Sequence, residues 1–276
     1  MTSITLPRSE SNNGLAYYHA GSGPAIVLVH GVGLRAEAWA HQINVLSRHY
    51  SVYAVDMPGH GESDLSAAKS MTLQGYVDAI ASWVEQQLPT PVIIMGHSMG
   101  AMIALKFASR YPHLCSGVAA LNAIYRRSDK ARNAVQQRAR EMVENPQLDR
   151  VSAPIARWFN PQPEGLEKDM AELCRHWLSI APAAGYAQAY QIFGLEDGPA
   201  DDELAGLQIP AMFITADGDN NSSGLMSQQM AEQCPLGQFA VIKDARHMVQ
   251  MTHPDDVNPL LTEFVARCEQ HKRNPQ

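Results

Sequence analysis

The sequence lacks the features of nucleic-acid-binding, secreted and membrane proteins. Basic residues are not in excess, since 21 Lys and Arg stand against 28 Asp and Glu, which gives a net charge of -7. Nucleic acid is therefore not an expected partner. The N-terminus, MTSITLPRSESNNG, has no apolar segment typical of a signal peptide, and no window approaches the ~20 apolar residues that span a bilayer. We expect a cytoplasmic protein without a membrane partner.

Cysteine is scarce as well. The four cysteines, at positions 115, 174, 234 and 268, form no CxxC pair. This spacing indicates buried or free thiols in a reducing compartment rather than a disulfide framework, and it does not favour a metal site built on cysteine. The sequence leaves open whether the protein is a monomer or a homo-oligomer.

The chain does have the length and apolar content of one elaborated domain. Its 276 residues suit a single catalytic domain with an inserted subdomain, and 45% hydrophobic with 18% charged residues is ordinary for a globular protein. The apolar run Ala25–Val29 is short and uninterrupted, as in a central parallel strand covered on both faces. Helical spacing in 36–47 and a strand pattern in 51–55 follow, so strand, helix and strand alternate.

This alternation is interrupted once. Strand patterns continue to residue 121 and resume at 211–215 and 239–242. Between Arg126 and Ala205 the sequence has only helical patterns, at roughly 129–144, 150–159, 167–180 and 186–194. We therefore predict an α/β fold with a mostly parallel, doubly wound sheet. Its core segments are 1–125 and 206–276, and an all-helical lid is inserted at 126–205.

A G-x-S-x-G motif lies between a predicted strand and a predicted helix, at Gly96-His97-Ser98-Met99-Gly100. In this context the serine sits on a sharp turn, and the two glycines let the strand and helix backbones pass without a Cβ clash. The motif predicts Ser98 as the nucleophile. The backbone N–H of the following residue, Met99, is predicted to stabilise an oxyanion.

A serine nucleophile needs an imidazole base and a carboxylate that orients the imidazole. Of the 11 histidines, His247 follows the predicted strand 239–242 and a short polar loop, which places it at the carboxyl end of the sheet. Only His253, just before Pro254, lies in a comparable position. The order serine, acid, histidine along the chain favours His247 as the base. The acid should follow the strand 211–215.

Two further segments, each directly after a predicted strand, complete a family pattern. They are His30-Gly31-Val32-Gly33 and Asp56-Met57-Pro58-Gly59-His60-Gly61-Glu62-Ser63. Together with the elbow they resemble the HG-x-G and D-x-P-G-x-G-x-S segments of the alpha/beta-hydrolase family, and the resemblance spans about 15–121 and 206–265. It implies that fold, a second oxyanion N–H from Val32, and a structural role for the Asp56 segment.

The resemblance also bears on the acid. Asp217 and Asp219 both follow the strand 211–215. The segment resembles the small-x-x-Asp turn of the family with Ala216 in the small position, which implies Asp219 and leaves Asp217 as the alternative. Asn122 stands where some relatives keep their acid. An amide cannot stabilise an imidazolium as a carboxylate does, so Asn122 also favours Asp219.

These residues predict a serine hydrolase that requires no metal or organic cofactor and cleaves an ester, lactone or related acyl bond through an acyl enzyme. The serine disfavours the branches of the family that use aspartate as nucleophile. The resemblance implies carboxylesterases, lactonases of diacids or carbon–carbon hydrolases. His97 and Met248 stand where the carbon–carbon group usually has asparagine and tryptophan. A cofactor-free oxygenase or perhydrolase, and a ligand receptor on the same fold, are the alternatives from other classes.

The substrate, expected to be a small molecule, must be read from the helical insertion. Trp158 and Trp177 are candidates for an apolar wall, with the core of the lid as the alternative. Met248, beside the predicted base, is a candidate for an adaptable apolar pocket, with ordinary packing as the alternative.

Arginines at the start of the insertion suggest an acidic substrate. Arg126 and Arg127 follow a strand whose carboxyl end opens on the same side of the sheet as Ser98, so we predict that one of them binds a substrate carboxylate. Arg157 and Arg175, within the predicted lid helices, are further candidates. The alternative for each of these arginines is a solvated surface position.

Overall fold

One sheet forms the centre of the protein. The structure, a computed structural model, describes residues 5–68, 70, 72–145 and 148–274. The outermost residues of the predicted core segments, 1–4 and 275–276, lie outside the described residues. The strands are β1 (Ser9–Glu10), β2 (Ala16–Ala20), β3 (Ala25–Val29), β4 (Ser51–Val55), β5 (Val92–His97), β6 (Cys115–Leu121), β7 (Ala211–Ala216) and β8 (Gly237–Ile242).

The eight strands lie in the order β1-β2-β4-β3-β5-β6-β7-β8. Strands β3 to β8 pair in parallel, whereas β1 and β2 run antiparallel at one edge. The predicted mostly parallel sheet is therefore confirmed. The antiparallel edge follows from the short connection between β1 and β2, which is too short for a parallel crossover.

Helices connect the strands. They are α1 (Ala40–Leu46), α2 (Leu73–Gln87), α3 (Met99–Arg110), α4 (Asp129–Glu144), α5 (Ser152–Trp158), α6 (Gly165–Ile180), α7 (Ala183–Leu195), α8 (Asp201–Ala205), α9 (Gly224–Gln233), α10 (Val249–Thr252) and α11 (Pro254–Arg273). No helix in the described part of the chain combines the length and apolar character needed to cross a membrane.

The sheet is covered on both faces because successive side chains of a strand point in opposite directions. On β3, Val27 belongs to the apolar cluster that includes residues of α2 and α3. Its neighbours Ile26 and Leu28 belong to the second cluster, with residues of α1 and α11. Every residue of β3 is buried. This explains why its sequence is a continuous apolar run rather than an alternating one.

The segment between β6 and β7 is helical, as the sequence predicts. Helices α4 to α7 overlap the four predicted helical stretches, and the short α8 adds a helix that the patterns did not indicate. Leu178 of α6 and Tyr186 of α7 belong to the same apolar cluster as Val27 of the sheet. This helical insertion thus shares a core with the sheet and lies against the edge where the parallel strands end.

Candidate active site

Ser98 lies at the junction of β5 and α3. Its backbone has φ 56° and ψ -118°, a strained conformation for a residue with a side chain. The glycines on either side are required by close contacts. A Cβ on Gly96 would lie 2.0 Å from the carbonyl oxygen of Gly100, and a Cβ on Gly100 would lie 2.2 Å from the carbonyl oxygen of Val29. The motif therefore forms a tight elbow that presents the Ser98 side chain, partly exposed, at the end of the strand.

The sequence-predicted base and acid lie beside Ser98. His247 Nε2 is 3.1 Å from Ser98 Oγ, and His247 Nδ1 is 2.8 Å from Asp219 Oδ2. Asp219 follows β7 and His247 follows β8, so the parallel order of the sheet brings together residues that are far apart in sequence. Asp217, the alternative acid, is exposed and has no contact with His247 among the described residues.

Asp219 is held as a buried carboxylate. Its Oδ2 accepts hydrogen bonds from Asn122 Nδ2 at 2.8 Å and Ser222 Oγ at 2.5 Å, and its Oδ1 accepts one from the Asn221 N–H at 2.8 Å. Burial opposes ionisation, but attraction to His247 and these hydrogen bonds outweigh it and hold the pKa of Asp219 well below its usual range. The carboxylate can therefore fix the imidazole with its proton on Nδ1 and leave Nε2 free to accept a proton from Ser98.

Two backbone N–H groups are available near Ser98. Neither the Val32 N–H nor the Met99 N–H donates a hydrogen bond to another group of the described chain. Met99 is the first residue of α3, and the partial positive charge of a helix N-terminus favours an anion there. A Cβ on Gly31 would lie 3.0 Å from Ser98 Cβ, so glycine at this position keeps the loop close to the serine.

His30 fixes the loop that carries Gly31 and Val32 through two hydrogen bonds of its ring. Its Nδ1 donates to the carbonyl of Gly31 at 2.8 Å, and its Nε2 accepts from the Met57 N–H at 2.9 Å. Because a carbonyl can only accept, the proton must lie on Nδ1. Burial lowers the pKa of His30, so the ring stays neutral and keeps this hydrogen-bond pattern.

His97, directly before Ser98, is neutral as well. Burial, and repulsion from His247, lower the pKa of His97 to about 3. Its Nε2 donates to the carbonyl of His247 at 2.7 Å. His97 thereby anchors the backbone that carries the predicted base. The sequence alone did not indicate this role, because it depends on a contact across 150 positions of the chain.

A cavity of about 370 Å³ opens over Ser98 and His247. The charged side chains among its described lining residues are the arginines Arg126, Arg127 and Arg157, with no aspartate or glutamate. Aromatic and apolar side chains from the helical insertion form much of the remaining wall. The full lining is Gly31, Val32, Leu34, His97, Ser98, Ile124, Arg126, Arg127, Ser128, Ala131, Val135, Arg157, Trp158, Tyr186, Tyr190, Phe193, Asn220, Asn221, Met226 and His247.

The two tryptophan candidates differ in position. Trp158 lines the cavity and stacks over His247, with ring centroids 6.0 Å apart and planes at 27°. Trp177 does not line it, which corrects the prediction of an apolar wall residue. Trp177 is buried in the apolar core because it lies on the face of α6 that points into the protein. Met248 is likewise fully buried in that core and does not line the cavity, although it follows His247 directly.

Sequence reasoning missed several lining residues. Asn220 and Asn221 follow Asp219 directly and reach the cavity from the loop after β7. Their position in a loop at the carboxyl end of a strand was the available signal. Met226, on α9, lines the cavity without any such signal. Among the described residues, no group of three or more His, Cys, Asp or Glu side chains could hold a metal ion.

Comparison with known proteins identifies the family of the chain. Residues 26–260 match the model of the alpha/beta hydrolase family. Over 258 residues, covering 94% of this chain and 96% of the relative, the sequence is 41% identical to the (E)-2-((N-methylformamido)methylene)succinate hydrolase of Acinetobacter baylyi. It is 25% identical to 3-oxoadipate enol-lactonase 1 of the same organism over 90% of this chain and 91% of the relative.

Solved structures show the same fold. A thermophilic esterase from Thermogutta terrifontis with malate bound superposes with a TM-score of 0.83 at 25% identity, covering 95% of this chain and 99% of the esterase. An enol-lactonase from Burkholderia xenovorans superposes with a TM-score of 0.84 at 22% identity, over 94% and 100% of the two chains. The chain is therefore a hydrolase that belongs to the alpha/beta hydrolase family.

Proposed function

We propose that this protein is a serine hydrolase that cleaves an acyl bond of a small acidic substrate through a covalent acyl enzyme. The observation that carries the proposal is the chain of hydrogen bonds from Ser98 Oγ through His247 to Asp219, placed at the wall of a cavity. A serine hydroxyl becomes an effective nucleophile only with such a base and orienting carboxylate.

The first half of the reaction forms the acyl enzyme. Ser98 Oγ attacks the carbonyl carbon of the substrate while His247 Nε2 takes the hydroxyl proton. The carbonyl oxygen becomes an oxyanion, and the unpaired N–H groups of Val32 and Met99 donate hydrogen bonds to it. His247 then gives its proton to the leaving group as the carbon–heteroatom bond breaks. Asp219 stays ionised throughout and stabilises the imidazolium.

The second half releases the acid. A water molecule gives a proton to His247 and attacks the acyl carbon, and collapse of this second tetrahedral intermediate returns the proton from His247 to Ser98 Oγ. The stacking of Trp158 on the imidazole supports one orientation of the ring through both halves. No proton has to come from a group outside the three residues.

The charge of the cavity supports an acidic substrate. Among the described residues, three arginines and no aspartate or glutamate line it, and a guanidinium in such a cavity is stabilised by an anion. The relative from A. baylyi acts, by its name, on a succinate that carries an N-methylformamide group. A succinate has two carboxylates, and a formamide has a carbonyl that a serine can attack. We therefore propose substituted succinates with an N-acylaminomethylene group as the first substrates to test.

Kinetics of two variants test the proposal. We expect Ser98→Ala and His247→Ala each to lower kcat for the best substrate by at least about 10³-fold, because the residues act as one unit. The substrates are N-acylaminomethylene succinates, enol-lactones and p-nitrophenyl esters of increasing chain length. If either variant keeps more than about a tenth of kcat, which is only about 1.4 kcal/mol of barrier, the proposal is wrong. Oxygen consumption that persists in Ser98→Ala would indicate the cofactor-free oxygenase instead.

A further inference from the structure

The three arginines of the cavity differ in how their donors are used. Arg126 has a side chain that is 60% exposed, donates to Asp201, and lies over the ring of Tyr125 at 5.0 Å. Its charge is thus paired at the rim. Arg126 was one of the two preferred candidates for binding a substrate carboxylate. Because Asp201 already neutralises its charge, a substrate carboxylate would gain little from it.

Arg127, the second candidate, serves the helical insertion. Its buried guanidinium donates through Nη1 to the carbonyl of Phe193, at 3.0 Å, and to the carbonyl of Glu196. Its Cζ lies 4.2 Å above the ring centre of Phe193. Burial lowers the pKa of Arg127 to about 10, and Asp197, 3.7 Å away, opposes that shift. Arg127 therefore ties the start of the insertion to the end of α7.

Arg157 is different from both. It lines the cavity from α5, yet it makes no hydrogen bond and no ion pair with any described residue. Its Nε is buried and has no acceptor; Nη2 of Arg127 also lacks one, but the guanidinium of Arg127 is held by the carbonyls of Phe193 and Glu196. A guanidinium has five N–H donors in a fork that matches a carboxylate, and leaving a buried donor without an acceptor is unfavourable. The next residue, Trp158, stacks on His247, and all three residues line the same cavity.

We propose that Arg157 binds a carboxylate of the substrate and thereby determines specificity for acidic substrates. The inference rests on the proposed function for the identity of the substrate, but the binding itself does not require turnover. The guanidinium donates two parallel N–H groups to one carboxylate. The carboxylate oxygens thereby supply the acceptors that the described chain does not provide. Among the four arginines that the sequence suggested for this role, we therefore favour Arg157 over the preferred candidates Arg126 and Arg127.

Calorimetric titration with 2-methylenesuccinate, and with its diamide, tests the assignment without any reaction. We expect Arg157→Met to weaken binding of the diacid by about 10- to 100-fold, the range for a lost hydrogen bond to a charged group. Arg157→Lys should weaken it less, because the charge remains while the fork is lost. The unaltered protein should bind the diamide more weakly than the diacid. The affinity for the diamide should be the same in the Arg157 variants as in the unaltered protein.

Arg150→Met is the matched control. Arg150 lies in the same insertion, with its Cζ 5.8 Å from the ring centre of Tyr186, but it does not line the cavity. Its loss removes the same charge and should change the affinity for the diacid by less than about threefold, since solvent and salt screen such a charge. Thermal melting of each variant confirms that it is folded.

Three results would overturn the assignment: unchanged diacid binding in folded Arg157→Met, equal loss in Arg157→Met and Arg150→Met, or diamide binding as tight as diacid binding in the unaltered protein. Failure of the proposed function has another signature, namely hydrolysis that survives in Ser98→Ala. The two failures are therefore distinguishable, because Ser98→Ala should bind the diacid normally whichever chemistry the protein performs.

Discussion

Two arginines with buried guanidinium nitrogens have opposite surroundings. Arg8 is 2% exposed and uses its guanidinium fully: Nε donates to Asp56 at 2.8 Å, Nη2 to Glu37 at 2.6 Å, and Nη1 to the carbonyl of Leu6 at 2.5 Å. Arg157 makes no hydrogen bond or ion pair with any part of the chain that the structure describes. The chain itself supplies the acceptors for Arg8, whereas the donors of Arg157 remain available to a ligand.

The difference separates charges that stabilise the fold from charges that await a ligand. The cluster of Arg8, Glu37 and Asp56 supports the loop that carries Val32, since Asp56 also accepts the N–H of Ala36 at 2.8 Å. Removing one member of a closed buried cluster leaves its partners uncompensated. Removing an arginine that has no partner costs the fold little. The substitutions below test this comparison, from the largest expected effect to the smallest.

Asp219→Asn has the largest expected effect of these substitutions, and the effect is on kcat. Asp219 is a buried, paired carboxylate, and its pair with His247 orients the base. An amide favours the wrong imidazole tautomer, so kcat should fall by about 10³- to 10⁴-fold, or about 4 to 5 kcal/mol of barrier. Asp217→Asn is the control and should change kcat by less than about twofold, because Asp217 is exposed. The reverse ranking would assign the acid to Asp217.

Arg8→Met has the largest expected effect on stability. It leaves Asp56 buried without its arginine and leaves Glu37 paired only with the partly exposed Arg35, so the free energy of unfolding should fall by about 3 to 5 kcal/mol. Arg157→Met should change it by less than about 0.5 kcal/mol, since no internal interaction is lost. Urea unfolding of the three proteins at pH 7 measures both values. Equal losses in the two variants would break the comparison.

The stability lost in Arg8→Met should depend on pH. Burial opposes ionisation of Asp56 and Glu37, but hydrogen bonds and attraction from Arg8 outweigh it and lower the pKa of both carboxyls. In the unaltered protein this contribution is present above their ordinary pKa values and is lost as pH falls through the lowered ones. Without Arg8 the pKa of both carboxyls should be higher than in the unaltered protein, because burial is then opposed only by Arg35 at Glu37 and by backbone N–H groups at both carboxylates. The difference in free energy of unfolding between the two proteins should therefore shrink as pH falls through the pKa values of the variant towards the lowered values of the unaltered protein. A constant difference would contradict the account.

Arg126→Met should also have a small effect on stability, far below that of Arg8→Met. The ion pair of Arg126 with Asp201 lies in solvent, with side chains 60% and 48% exposed. Exposed pairs contribute about 0 to 1 kcal/mol, so the urea midpoint should barely move. A loss as large as that of Arg8→Met would show that burial of an ion pair does not determine how much stability its removal costs.

Local patterns predicted the fold and the elbow because both depend on short-range rules. The apolar run of β3 indicates a central strand, and the glycines around Ser98 are required by backbone contacts that any such elbow makes. Asp217 and Asp219 could not be separated by residue type, since both follow β7. The family turn favoured Asp219, and the structure places that side chain, and not Asp217, against His247.

Tertiary contacts limited the prediction of the cavity. Trp158 and Trp177 both lie on helices of the insertion, but only the packing of α5 and α6 decides that one reaches His247 and the other the core. A sequence likewise does not show that Arg157 lacks a partner, because this depends on which side chains the surrounding helices and loops place near it. Arg126 and Arg127 looked equivalent for the same reason.

Covalent labelling tests the central claim, a nucleophilic Ser98, most directly. The protein is treated with a fluorophosphonate, which reacts with an activated serine hydroxyl, and is examined by intact mass and peptide mapping. We expect one phosphonyl group per chain, located on Ser98, and no labelling of Ser98→Ala. Asp219→Asn should be labelled at a rate lower by orders of magnitude, because its imidazole is wrongly oriented. Labelling of another residue, or equal labelling of Ser98→Ala, would contradict the account.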